Sequence, residues 1–211
     1  MAGRLSRLIL VRHGETEGQS SIRYYGVTDV PLSDVGRAQV LAAREQIPGE
    51  TVQHVWASTL SRSWESARIL APGRPIHLES NFREIDFGRW EGLTKEEIAV
   101  RDPELHRQWQ AAPHEFPFPE GETRQAFRKR IARGLDRLVA TDVESALIVA
   151  HKGVVRTLLE LVTGHTLDGE HPELGGVVQA SRTPGGKWRT GRVGSDASCS
   201  EPGIGIPMEV T

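Results

Sequence analysis

Arg12-His13-Gly14 follows directly on the apolar run Leu8-Ile9-Leu10-Val11, and His151-Lys152-Gly153 follows on a second apolar run, Ala146–Ala150. Short apolar runs bounded by glycine turns predict buried strands. A buried strand that ends in Arg-His or His-Lys delivers imidazole, guanidinium and ammonium groups to the rim of a sheet. In open α/β sheets that rim, at the carboxyl ends of the strands, is where ligands bind. A neutral imidazole can act as a nucleophile, and a guanidinium offers a planar fork to phosphate oxygens. Two further segments supply partners: Ser58-Thr59-Leu60-Ser61-Arg62, with Arg62 in the first turn of a predicted helix, and Arg83-Glu84-Ile85-Asp86 in a loop.

These residue types answer the demands of phosphate monoester cleavage. The dianion repels nucleophiles until fixed donors such as Arg12, Arg62 and a helix N-terminus offset its charge. His13 attacking phosphorus would divide one hard step into two. A carboxylic acid must protonate the departing alkoxide and then take a proton from water. His151 is expected as a cation that bonds a phosphoryl oxygen. Spacing alone does not select Glu84 as the acid, because Asp86, Glu91, Glu96 and Glu97 are close rivals. Trp90 fits either the core or a wall of the cleft. Lys152 suits either an acidic substrate group or solvent. His54, His77 and His106 lack such settings and are expected at the surface or packed.

Other phosphatase chemistries lack their residues. A cysteine phosphatase carries Arg six positions after its Cys, and six after Cys199, the one cysteine, stands Gly205. Asp-x-Asp and Gly-x-Ser-x-Gly are both missing from the sequence. Gly186-Lys187 is followed by Trp188, with Ser at 181, which is not a nucleotide P-loop. No zinc-type Cys/His spacing occurs, so neither a metal nor a cofactor is expected.

The elements that must position these groups follow from patterning. Strands are predicted at Leu8–Val11, Val52–Ala57, Ile76–Leu78 and Ala146–Ala150, and a hairpin at Val177–Ser181 and Trp188–Val193 around Pro184-Gly185. Ser33 caps a helix with Val35, Ala38, Leu41 and Ala42 on its apolar side. Further helices are predicted at Leu60–Leu70, from the capping box Thr94-Lys95-Glu96-Glu97 to the break at Asp102-Pro103, at Thr123–Val139 and at Gly153–Val162. Phe127, Ile131, Leu135 and Leu138 form the stripe of the helix after Thr123, and its five arginines (124, 128, 130, 133, 137) read as a solvated face. Strands alternating with helices imply an α/β fold, a three-layer α/β/α sandwich with a mostly parallel central sheet and a C-terminal edge hairpin.

Length and charge set the setting. The chain has 211 residues, 37% hydrophobic and 26% charged, with a net charge of −2. That suits one globular domain over 1–194, with a loosely held tail over 195–211. Near-neutral charge gives no reason to expect nucleic acid or membrane as a partner, and no apolar run approaches a membrane span. A single cysteine fits a reducing compartment, so the cytoplasm is expected. The expected partner is a small-molecule phosphate monoester, and a homodimer is left open.

With those segments in hand, the chain resembles the histidine phosphatase superfamily, also called phosphoglycerate mutase-like. The resemblance covers roughly residues 5 to 193 and rests on four blocks in order: Arg12-His13-Gly14-Glu15-Thr16; Tyr25-Gly26 through Asp29-x-Pro31-Leu32-Ser33-x-x-Gly36; Ser58-x-Leu60-x-Arg62; and Ala150-His151-x-Gly153. It implies His13 as the phosphorylated nucleophile and Arg12, Arg62 and His151 as the rest of the phosphate pocket. It also implies Glu84 as the proton donor, through Glu84-x-x-x-Gly88-x-Trp90-Glu91-Gly92. Gln19 stands where family members commonly carry a phosphate-touching Asn, and Lys152 where many have Gly or Asn. Gln19, Arg23, Tyr25, Gly26, Lys152 and Gly153 are the expected substrate contacts. The segment after Glu84 looks like the shorter phosphatase branch that includes alpha-ribazole phosphatase. Water is therefore the expected acceptor, ahead of a 2,3-bisphosphoglycerate-dependent mutase or a non-catalytic phospho-ligand module.

Overall fold

The computed structural model describes residues 5–47, 52–113, 115–166 and 172–191. The expected tail at 195–211 and the last two residues of the predicted hairpin lie outside them. Six strands form one sheet: β1 (Arg7–Arg12), β2 (His54–Ser58), β3 (Ile76–Glu79), β4 (Ser145–Ala150), β5 (Val177–Arg182) and β6 (Trp188–Gly191), in the order β3-β2-β4-β1-β5-β6. The β3–β2, β2–β4 and β4–β1 pairs are parallel, and β1–β5 and β5–β6 antiparallel. The mostly parallel sheet and the C-terminal edge hairpin are as the patterning predicts.

Strand parity explains the layers. Successive side chains point to opposite faces. In β1, Ile9 and Val11 join Val55, Ala57, Leu147 and Val149 in one core, under α1 (Asp34–Arg44) and α2 (Ser61–Leu70). Leu8 and Leu10 join Trp56, Ala146 and Ile148 in the other, under α5 (Arg124–Val139) and α6 (Lys152–Thr163). Every residue of β4 is buried, which is why its sequence shows no alternation. The chain leaves β1 through α1 toward one sheet edge and leaves β4 through α6 toward the other, so a crevice opens between their carboxyl ends.

Three local expectations are corrected. Val35, Ala38, Leu41 and Ala42 of α1 face solvent, and α1 buries Gly36, Val40 and Ala43 instead. Its first turn presses so closely on the turn after β1 that a Cβ on Gly36 would lie 1.9 Å from the Glu15 carbonyl oxygen. Ser33 caps it as expected, accepting from the Gly36 N–H. Asp102-Pro103 ends α3 (Lys95–Arg101) but also opens α4 (Pro103–Ala111), with proline at the first position, where its missing N–H loses no bond. The arginines of α5 are not one solvated face: Arg130 is enclosed by Glu122 and backbone carbonyls, and Arg124 lines a cavity. Among the described residues no helix is long and apolar enough to cross a membrane.

Candidate active site

Register brings the two strand-end histidines together. Arg12 pairs with Ala150 across β1 and β4, so the next residue of each strand emerges side by side. The His13 N–H donates to the Ala150 carbonyl at 3.0 Å, and the His13 and His151 rings meet edge-on, 5.1 Å between centroids. Both side chains are almost fully buried.

The environment sets their protonation. His13 Nδ1 lies 2.7 Å from the Gly14 carbonyl oxygen. A carbonyl can only accept, so Nδ1 carries the hydrogen and the lone pair resides on Nε2. Burial, with the charges of Arg62 and Arg12, holds His13 well below the ordinary histidine value, and the imidazole is neutral near pH 7. His151 is likewise held well below it by burial and Arg62, with smaller contributions from His13 and the arginines 12 and 130. His151 is thus neutral in the free protein, and the expected cation concerns the site with phosphate bound.

Arg62 is wholly buried in the first turn of α2. Its guanidinium donates to the carbonyls of Thr28 (2.8 Å), Tyr25 (3.1 Å) and Gly26 (2.7 Å). The loop offering those carbonyls is itself held by Glu91, whose carboxylate accepts from the backbone N–H groups of Gly26, Val27, Thr28 and Phe87. Arg12 donates to the Pro172 carbonyl. The Nε atoms of Arg12 and Arg62 and both ring nitrogens of His151 are buried with no protein partner. Buried polar atoms are normally satisfied, so such a convergence marks a ligand site.

Geometry separates Glu84 from its rivals in the sequence. Glu84 is buried, with Oε1 accepting from the Ile85 N–H and Oε2 from the Gly153 N–H at the start of α6, both at 2.9 Å. Its sequence rivals are committed elsewhere. Glu91 organises the 26–28 loop, Asp86 accepts from the Gly88 N–H, Glu97 completes the α3 capping box and pairs with Arg23, and Glu96 is exposed.

Arg12, His13 and Glu84 open onto a cavity of about 580 Å³, and Arg62 and His151 lie behind them. Of the expected substrate contacts, Arg23, Tyr25, Lys152 and Gly153 line this cavity. The Arg23 guanidinium is occupied by Glu97 and the Gly92 carbonyl. Gln19 is exposed, in the left-handed region at φ 63°, and Gly26 is tied to Glu91 and Arg62, so neither reaches the cavity wall. Trp90 belongs to the core, its Nε1 donating to Asp102. Sequence reasoning missed Trp109, Arg124, Arg156 and Glu173 as lining residues. Among the described residues no cluster of three or more His, Cys, Asp or Glu is arranged to hold a metal.

Comparison with known proteins places the chain in a family. The profile of the histidine phosphatase superfamily (branch 1) matches residues 8–187. A bifunctional protein of Mycobacterium tuberculosis is 37% identical over 163 residues, covering 75% of this chain and 44% of that protein. The chain thus spans less than half the length of the first curated relatives it matches. A glucosyl-3-phosphoglycerate phosphatase of Mycolicibacterium vanbaalenii is 32% identical over 192 residues, 84% of this chain and 83% of that protein. The crystal structure of an alpha-ribazole phosphatase from Shigella flexneri superposes with a TM-score of 0.79 at 26% identity, covering 92% of this chain and 99% of that one. From the start of β1 to the residue before β6, the matched stretch takes in both histidines, Glu84, Arg12 and Arg62, and the chain belongs to the histidine phosphatase superfamily, branch 1.

Proposed function

We propose that this protein is a phosphomonoesterase that hydrolyses a small phosphorylated metabolite through a phosphohistidine on His13. The observation that carries the reading is the His13–His151 contact at 5.1 Å, set beside the Nε atoms of Arg12 and Arg62, which are buried without a protein partner, and opening on a cavity that Glu84 shares.

In this reading His13 Nε2 attacks phosphorus in line, and the P–O bond to the leaving group breaks. Glu84, protonated, gives its proton to the departing oxygen. Water then attacks the phosphohistidine, the Glu84 carboxylate takes its proton, and the N–P bond breaks to release inorganic phosphate. Arg12 and Arg62 hold the phosphoryl oxygens throughout. Neutral His151 gains proton affinity as the dianion offsets the arginines around it, so it turns donor as the phosphate arrives. Gly153 positions Glu84, and Tyr25 and Lys152 flank the leaving group. The single cysteine supports a cytoplasmic setting.

The test is rapid mixing with a radiolabelled phosphate ester followed by alkaline quench. Acid-labile, alkali-stable label on the protein is expected, and His13→Ala removes it together with turnover. Undiminished label or turnover in His13→Ala overturns the assignment.

A further inference from the structure

Three cations converge on one side of the cavity. Arg124 is the first residue of α5, and Lys152 and Arg156 lie one turn apart on α6, so helical spacing places them on a common face. The Arg124 guanidinium sits 4.9 Å over the Phe118 ring, its Nε is buried without a partner, and its Nη2 donates to the Pro113 carbonyl at 3.2 Å. Among the described residues it forms no ion pair, and Lys152 has no hydrogen-bond partner. Arg156 shares Glu160 with Arg128, so one carboxylate serves two guanidiniums.

The carboxylates lining the cavity do not neutralise this wall. Glu84 is bound to two backbone N–H groups, and the charge of Glu173 acts on Arg12. Burial lowers Arg124, and of its neighbours Glu84 raises it while Arg156 lowers it further. An unpaired guanidinium withdrawn from water beside a second cation is unfavourable unless an anion joins it. Lys152 adjoins Gly153, whose N–H holds Glu84, the group facing the leaving oxygen, and all three cations line the cavity that Glu84 lines, so that anion belongs to the leaving group and not to the phosphate under attack.

Building on the phosphomonoesterase reading, we propose that Arg124, with Lys152 and Arg156 beside it, is a second anion site that selects esters whose leaving group carries a carboxylate or a second phosphoryl group. A neutral alcohol would leave the buried Nε unpaired.

The site can be read without turnover. Three phosphonates that cannot be hydrolysed are titrated calorimetrically against the full chain: propylphosphonate, 3-phosphonopropionate and propane-1,3-bisphosphonate. The wild type is expected to bind at least one of the two compounds bearing a second anionic group roughly tenfold more tightly than propylphosphonate, as charge-assisted bonds to a desolvated guanidinium provide. Preference for the carboxylate or for the bisphosphonate identifies the group, and either supports the site. In Arg124→Gln the advantage shrinks below about threefold, whereas Arg124→Lys retains part of it. Lys152→Gln lowers it as well and serves if Arg124→Gln does not fold. Equal affinities for all three compounds, or a preference that survives both glutamine substitutions, overturns the second site. Failure to trap a phosphohistidine alongside intact preferential binding would instead overturn the hydrolytic reading.

Discussion

Gly153→Ala tests the placement of the acid through a backbone contact. A Cβ at position 153 would lie 2.5 Å from Glu84 Oε1 and 3.3 Å from its Cδ and from Phe127 Cζ. The atom in the way is the end of a flexible side chain, so the carboxylate is displaced while the fold survives. Alanine is also the better helix former by about 1 kcal/mol in a helix interior, which offsets strain in α6. The melting temperature should therefore move little. Displacement pulls Glu84 from the Gly153 N–H, a 2.9 Å bond that holds the carboxyl group in place. A misplaced acid is expected to slow proton transfer to the leaving oxygen by about 100-fold. Quench-flow measurement of phosphoenzyme formation separates this step from hydrolysis of the intermediate. An alkyl phosphate should show the full loss, while p-nitrophenyl phosphate, whose leaving group needs little protonation, should lose less than about fivefold. Equal losses on the two esters would refute Glu84 as the proton donor held by Gly153.

Arg130 pairs with Glu122 and donates to the carbonyls of Asn81, Arg83 and Glu84, so Arg130→Met should lower stability by about 3 kcal/mol in urea unfolding; an unchanged midpoint would show that the clamp is idle. Glu91→Gln halves the acceptors for the loop whose carbonyls hold the Arg62 guanidinium, and KM for any phosphate ester should rise roughly tenfold, checked by steady-state kinetics. Burial and Arg62 hold His13 and His151 below their unfolded value of about 6.5, so below that pH the unfolded chain binds more protons than the folded one. Stability is thus present above about pH 6.5 and lost as pH falls, the unfolding constant rising roughly tenfold per unit for each histidine. Urea midpoints that do not shift between pH 7 and pH 5.5 would contradict buried neutral imidazoles.

What was legible in the sequence lay where local pattern and tertiary place coincide. Leu8–Val11 and Ala146–Ala150 are apolar on both faces because the central strands are covered on both, and the residues just beyond them have nowhere to go but the rim. Arg62 was legible for the same reason, at the start of the helix after β2. Glu84 needed the resemblance, since only the fold reveals that Glu91, Asp86 and Glu97 are engaged with backbone or with Arg23. Arg124 was hidden among five arginines, because which of them turns inward depends on how α5 rolls against α6. The face of α1 was misread for a related reason: two of its stripes are apolar, and the close approach of Gly36 to the turn after β1 decides between them.

The place of β1 in the sheet has a consequence for biosynthesis. It is translated before every other strand described here, yet both its neighbours, β4 and β5, come from the distal part of the chain. A nascent polypeptide must therefore carry an apolar segment with two open edges until β4, ending at Ala150, has emerged, and with one open edge until β5, ending at Arg182, follows. Chaperone dependence during expression, and aggregation of fragments truncated before β4, would follow from that order of events.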